Sequence, residues 1–348
     1  MGTWVLRLAN DGQGPRLAVK DCIDVAGLPT TAGCPVVAEM AERAEIDAAV
    51  VASAREGGAR IVGKTGLTEL CWSANGVNHW SGTPVNPRDP RRLPGGSVRI
   101  PAACCGITGL KTAYGRISVK GVYPLAPSLD TVGPLGADVA AVELGMRLLE
   151  PGFAAPPAPA ALVAGRLAAT GLAGGVDPAI DAAVDQALRA AGVEVTALPA
   201  LDVGQMLDAA GVLIDSEGFR VNAYLMQYLK QLSPHVRRNL ERGVRLGRGD
   251  RAAAERIRAA ARDTLESMLA DFPVLVLPTL AGAPPLLGSR GFSLTALTVP
   301  ANLAGLPALS LPVPGPRSAH VIASMQVIGG SEEQVVAFGR VIEAAAGG

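Results

Sequence analysis

Helix-like and strand-like segments alternate along this chain, and that rhythm leaves few architectures open to it. In "DPAIDAAVDQALRAAGVEVTALP" Asp177 is placed to cap a helix, Pro178 suits its first turn, Gly192 ends it, and "VEVTAL" is strand-like. "DAAVVASAREGGARIVGKT" repeats the pattern, with a helix opening at Asp47 and stopping at Gly57-Gly58 before a buried strand, "ARIVG". Residues 249–271 predict a long amphipathic helix, followed by a short buried strand in "FPVLVLPT". "SEEQVVAFGRVIEAAA" opens on a Ser-x-x-Gln capping box at Ser331 and Gln334. Alternation of this kind predicts an α/β fold, a mixed central β-sheet covered by α-helices on both faces.

With 348 residues, 49% of them hydrophobic and 18% charged, the chain can bury a large core, as one big domain or two moderate ones. The Pro/Ala/Gly-rich stretch 151–175 is the one candidate linker, unless it is a surface excursion of a single domain. Lys+Arg and Asp+Glu both total 31, so no electrostatic argument favours nucleic acid or an anionic membrane as partner. The N-terminus lacks a basic start followed by an apolar run, and "FAAPPAPAALVAG" is too short and proline-broken to span a bilayer. The 5 cysteines have no metal spacing, and an odd number cannot all pair internally. Cys104 and Cys105 read as buried free thiols. A cytoplasmic setting is the expectation.

Few groups are available for chemistry. The 3 histidines fit no HExxH pattern, and no G-x-S-x-G elbow is present. His235 opens a helix and His320 a strand. Two polar residues stand out. Lys20 ends "RLAVKD", where it is either a solvated strand terminus or a buried amine able to act as a base. Ser97 follows Gly95-Gly96, whose backbone can bring N–H groups close to a ligand. "VRIPAACCG" behind it reads as a short buried helix, so Ser97 is either a turn or cap residue or a nucleophile near a helix N-terminus.

The segments "LAVKDCIDVAGLPTTAG", "ARIVGKTGLTEL", "NGVNHWSGTPVNPRDPRRLPGG", "GGSVRIPAACCGITGLKTAYGRIS", "PLAPSLDTVGP", "VLVLPTL" and "NLAGLPALSLPVP" carry a resemblance over nearly the whole chain. Together and in this order they resemble the amidase signature family of Ser-Ser-Lys amide hydrolases. The resemblance implies one amidase-like domain over 1–348, with a catalytic-core half at 1–150. A helical half at 176–348 would complete the sheet and the substrate pocket. It implies Lys20 as base, Ser97 as the serine that forms an acyl-enzyme, and the N–H groups around Gly95 and Gly96 as oxyanion donors. No metal or organic cofactor is implied; the partner is a small-molecule amide.

One part of the family pattern is missing. The family carries a relay serine, a helix and a core strand between "PGG" and "GGS", whereas this chain passes from "RRLPGG" directly to "SVRIPA". Roughly two dozen residues are absent by that comparison, as expected from an in-frame deletion between two similar Gly-Gly-Ser segments. Lys20 must then reach Ser97 directly or recruit Ser73, Ser81 or Thr65. Arg99 would need a new partner, and Asp130 is the expected one. The readings that follow are an impaired amidase, a catalytically inactive amidase fold, and an amidotransferase A-type subunit, for which the short N-terminus and neutral charge give no support. The apolar stretch 201–231 is expected in the core or at a homodimer contact.

Overall fold

The computed structural model describes residues 2–9, 12–157, 159, 161–289, 293–315 and 323–347. In chain order its strands are β1 (Trp4–Arg7), β2 (Arg16–Lys20), β3 (Arg60–Thr65), β4 (Thr108–Lys111), β5 (Leu135–Gly136) and β6 (Val163–Arg166). They continue with β7 (Ala169–Thr170), β8 (Glu194–Ala197), β9 (Leu201–Asp202), β10 (Val274–Pro278), β11 (Ala308–Val313) and β12 (Ala323–Gly329). The larger sheet has seven strands in the order β5-β4-β11-β12-β10-β6-β8. It is mixed: β6 runs parallel to β10 and β8, while β10, β11 and β4 pair antiparallel with their neighbours β12, β12 and β11. A three-stranded sheet, β1-β3-β2, stands apart, and among the described residues no ladder joins it to the larger one.

The period-two alternation of the strands separates two cores. Val274 and Val276 of β10 face a cluster with Leu309, Met325, Val327 and Phe338. Helices Val139–Leu149, Pro178–Ala190 and Glu332–Gly347 cover that face. Leu275 and Leu277 face the opposite cluster, with Leu213, Leu265 and Leu303, under helices Val203–Asn222, Arg248–Asp271 and Val299–Ala304. The sheet therefore has helices on both sides, as the alternation predicts. Val19 of β2 and Ile61 of β3 enter the first core, so side-chain packing ties the small sheet to the large one.

Local signals account for most element ends. Asp177 Oδ1 accepts from the Ala179 N–H at 2.9 Å, and Gly192 leaves its helix at φ 67°. Ser331 Oγ accepts from the Gln334 N–H at 3.3 Å, but the Gln334 side chain reaches the Gly330 N–H (3.1 Å), one residue earlier than in a capping box. The helix expected from Asp47 begins at Ala49, because Asp47 accepts from the Ala26 N–H at 2.7 Å and pairs with Arg55 at 2.8 Å. Stretch 151–175 contains Phe153, which is in the core, and β6, an interior strand between β10 and β8. The strand start expected at His320 lies outside the described residues; β12 begins at Ala323. No helix among the described residues is long and apolar enough to cross a membrane.

Candidate active site

Strand β2 runs parallel to β3 and brings Lys20 level with Thr65. Beyond it the chain is held by a buried ion pair, Asp21 to Lys64 at 2.8 Å, with both side chains at most 1% exposed. Lys64 Nζ also donates to the Pro29 carbonyl (2.9 Å) and to Thr30 Oγ1 (2.8 Å), and Thr31 Oγ1 donates to Asp21. The Ala32 N–H donates to the Asp21 carbonyl (2.9 Å), and the Leu70 N–H to the Ala32 carbonyl (2.8 Å). That relay of backbone bonds draws the 3₁₀ turn Glu69–Cys71 against the end of β2. Ala32, Leu70 and Cys71 are all in the left-handed region, at φ 50°, 53° and 59°. Each such non-glycine residue costs about 1–3 kcal/mol, strain that packed surroundings must hold in place.

The outcome is a polar cluster around the Lys20 amine. Burial works against the Lys20 charge, but Cys71, Cys22 and Asp130 outweigh it and hold its pKa above the usual lysine value. Cys71 is lowered to about 6, first by its hydrogen bond with Cys22 and, against the effect of burial, by the nearby Lys20. Cys22 goes the other way, raised by its hydrogen bond with Cys71 and by burial. Burial also raises Asp130, although its oxygens accept from the Leu125 N–H at 2.9 Å and the Ala126 N–H at 3.1 Å. The Tyr123 N–H, bonded to the Cys22 carbonyl at 2.7 Å, leads from this cluster to an open groove of about 560 Å³. Val37, Met40, Arg43 and Tyr224 line the groove with Tyr123.

Ser97 follows Gly96, whose backbone lies against Ser73 and Ala74, just beyond Cys71 in the chain. The expected helix is Arg99–Cys105 with Val98 at its N-cap, so Ser97 stands just outside it, exposed, at φ 73°. Gly95 has φ 81°, and a Cβ there would come within 2.8 Å of Pro101, so the loop requires glycine. The Gly95 N–H donates to the Asn75 carbonyl (3.3 Å) and the Gly96 N–H to the Ala74 carbonyl (2.8 Å), so both expected oxyanion donors are engaged. Among the described residues no hydrogen bond joins Lys20 to Ser97. Of the three hydroxyls considered as relays, Ser73 Oγ accepts from the Asn75 N–H (3.3 Å), Thr65 Oγ1 donates to the Val19 carbonyl (3.5 Å), and Ser81 Oγ is buried without a partner.

The expected Arg99–Asp130 pair does not form. Arg99 is 4% exposed and donates to Gln326 Oε1, Asn302 Oδ1 and the Thr298 carbonyl, the last at 3.0 Å. It points inward onto β12, while Asp130 is held by its own turn on the Lys20 side. Burial lowers Arg99 to about 9. It lowers Lys111 at the end of β4 to about 7, Arg99 adding to the effect and Glu332 opposing it. Among the described residues Lys111 Nζ meets only the carbonyls of Thr112 and Leu306, each at 2.8 Å. Cys71 and Lys111 are the groups that sequence reasoning missed. An apolar run ending in lysine, "ITGLK", was a usable signal for the second; the first had none beyond the odd thiol count.

Known proteins share this arrangement of elements. A crystal structure of an amidase superposes with TM-score 0.81 at 28% identity, covering 95% of this chain and 84% of that one. The 1-carboxybiuret hydrolase subunit AtzE of Pseudomonas sp. (strain ADP) is 27% identical over 347 residues, 85% of this chain and 75% of that protein. Translocon at the outer membrane of chloroplasts 64, from Pisum sativum, is 27% identical over 328 residues, 79% of this chain; the chain spans only 55% of that protein's length. The sequence profile of the Amidase family matches residues 14–97 and then 94–335, so that Pro94–Ser97 is matched from both sides. With its segments in order from residue 14 to residue 335, the chain belongs to the amidase family.

Proposed function

We propose that this chain is a Ser–Lys amidase, cleaving a small linear carboxylic amide slowly because it lacks the relay serine. The observation that carries this reading is the double match at Pro94–Ser97, which supports taking the tetrapeptide as the junction left by one missing segment. Arg99, buried with no carboxylate, and a small sheet with no ladder to the large one fit the loss of an acidic lead-in and a core strand. With Lys20 in its neutral form, Ser97 Oγ attacks the amide carbonyl, its proton passes to the Lys20 amine, and Lys20 returns it to the departing amine. Water then releases the acid from the acyl-serine. Backbone N–H groups at Gly95 and Gly96 take the oxyanion once the loop gives up its bonds to Asn75 and Ala74. The groove beside Tyr123 holds the acyl part. The same reading has a cytoplasmic protein that needs no cofactor, nucleic acid or membrane and pairs with a second copy of itself.

A second reading, an amidase fold without catalysis, is favoured by the cluster that keeps Lys20 an ammonium rather than a neutral base. The pea relative, named for a translocon and not for hydrolysis, fits it too. Fluorophosphonate labelling with peptide mapping, run beside a thermal melt, separates the two. An adduct on Ser97 that disappears in Lys20→Ala supports the hydrolase. A cooperatively folded protein with no adduct ends that reading.

A further inference from the structure

The groove beside Tyr123 has a hydrogen-bond polarity that its partners fix. Asn222 Nδ2 donates to the Gly218 carbonyl at 3.0 Å, and a carbonyl only accepts, so the amide oxygen is the atom that faces Tyr123. The Tyr123 hydroxyl therefore donates to Asn222 Oδ1, at 2.7 Å. Its one hydrogen is used there, so Tyr224 is the donor in the 2.8 Å contact between the two tyrosines. Tyr224, 43% exposed on the groove wall, is left with lone pairs and no hydrogen to offer. Asp24 on the same groove is set in the same way. Lys64 Nζ donates to Thr30 Oγ1 (2.8 Å), so the Thr30 hydrogen goes to Asp24 Oδ1 (2.6 Å), and Asp24 Oδ2 has no partner among the described residues. Glu42 adds a second carboxylate to the lining, and Arg43, the cation of the lining, donates to the Gly27 carbonyl at 2.7 Å. Val37 and Met40 give the groove an apolar wall.

We propose that this groove selects amides whose acyl part ends in a protonated amine, with the ammonium hydrogens given to Tyr224 Oη and the Asp24 carboxylate and the carbon stem lying on Val37 and Met40. An ammonium carries three donors and no acceptor, the complement of a lining whose tyrosine and carboxylate oxygens can only accept. A carboxylate tail would meet those lone pairs and two like charges. A hydrocarbon tail would take water from Asp24 and Tyr224 and return no hydrogen bond. The proposal rests on the reading of the groove as the acyl site and names the substrate class for it. Tyr123 is a positioning residue, since it reaches the substrate only by orienting the Tyr224 hydroxyl.

The test titrates the full-length protein with three amides of nearly equal length, δ-aminovaleramide, hexanamide and adipic monoamide. Binding is followed by ligand-detected NMR and hydrolysis by ammonia release. The ammonium amide should bind about tenfold more tightly than hexanamide, the value of one charge-assisted hydrogen bond, and adipic monoamide more weakly than either. Asp24→Asn should remove most of that preference, and Tyr224→Phe should lower it about twofold, the value of a weaker neutral acceptor. Equal binding of the three amides, no binding of the ammonium amide, or a preference that survives Asp24→Asn overturns the proposal. If Asp24→Asn fails to fold, Glu42→Gln and Tyr224→Phe, both at exposed side chains, decide it by lowering the preference or leaving it unchanged. Preferential binding without ammonia release upholds the groove's selectivity and counts against hydrolysis at Ser97. Ammonia released from hexanamide ahead of the ammonium amide does the reverse.

Discussion

Lys64 and Arg99 are both buried cations, and the molecule provides for them differently. Lys64 meets a carboxylate, Asp21, at 2.8 Å, with the Thr30 hydroxyl and the Pro29 carbonyl completing its donors. Arg99 meets a carbonyl and two side-chain amides and, among the described residues, no carboxylate. Its charge therefore bears the cost of burial, and so does that of Lys111 beside it. The difference follows the origin of each partner. Asp21 lies within "AVKD", in a part of the chain that matches its family without a break, whereas Arg99 opens the helix directly after the doubly matched Pro94–Ser97. A buried cation without a counter-ion is what the proposed deletion would leave behind.

That contrast can be pressed by mutation. Asp21→Ala strands Lys64 in the interior and should cost about 3–5 kcal/mol, read from the urea midpoint; a loss near zero would erase the distinction. Arg99→Met breaks no ion pair and should cost about 1 kcal/mol or less in the same assay, and a loss as large as that of Asp21→Ala would mean that an anion serves Arg99 after all. Lys111 should leave a trace in the pH dependence. Folded Lys111 gives up its proton near pH 7, while the unfolded chain keeps it up to the ordinary lysine value. Stability should therefore rise with pH across that window, and Lys111→Met should remove the rise in urea titrations at several pH values. The smallest effect concerns a fourth cation, Lys20, whose neighbours include sulfur. With Lys20, Cys22 and Asp130 facing it, Cys71 should be alkylated by iodoacetamide at a rate that climbs through about pH 6, well below the pH at which Cys34 reacts.

What could be read from the sequence was local. Asp177, Pro178 and Gly192 bound their helix because caps and turns act over a few residues, and "RLAVK" and "VLVLP" became strands because neighbouring side chains alternate between faces. The choice of partners was not local. Arg99 is separated from Gln326 by 227 residues, and only the packing of its helix against the sheet brings them together. Asp130 looked available to Arg99 until its own turn was seen to hold it on the Lys20 side. Cys71 gave no spacing signal, since its meeting with Cys22 depends on backbone bonds through Asp21, Ala32 and Leu70. Strand β6 was hidden by the prolines around it, which read as a linker although "VAGR" pairs on both edges.

The separation of the two sheets has a consequence for motion. Among the described residues strand β2, which carries Lys20, pairs only with β3, and β1 lies on the other side of β3 in that small sheet. With no shared ladder, it can open as a cooperative unit of its own while the seven-stranded sheet stays closed. Amide hydrogens of Arg16–Lys20 and Arg60–Thr65 should then exchange with solvent deuterium well before those of β11 and β12, whose strands are interior to the larger sheet. If they do, the amine of Lys20 should meet bulk water through that local opening, many times for each global unfolding of the chain.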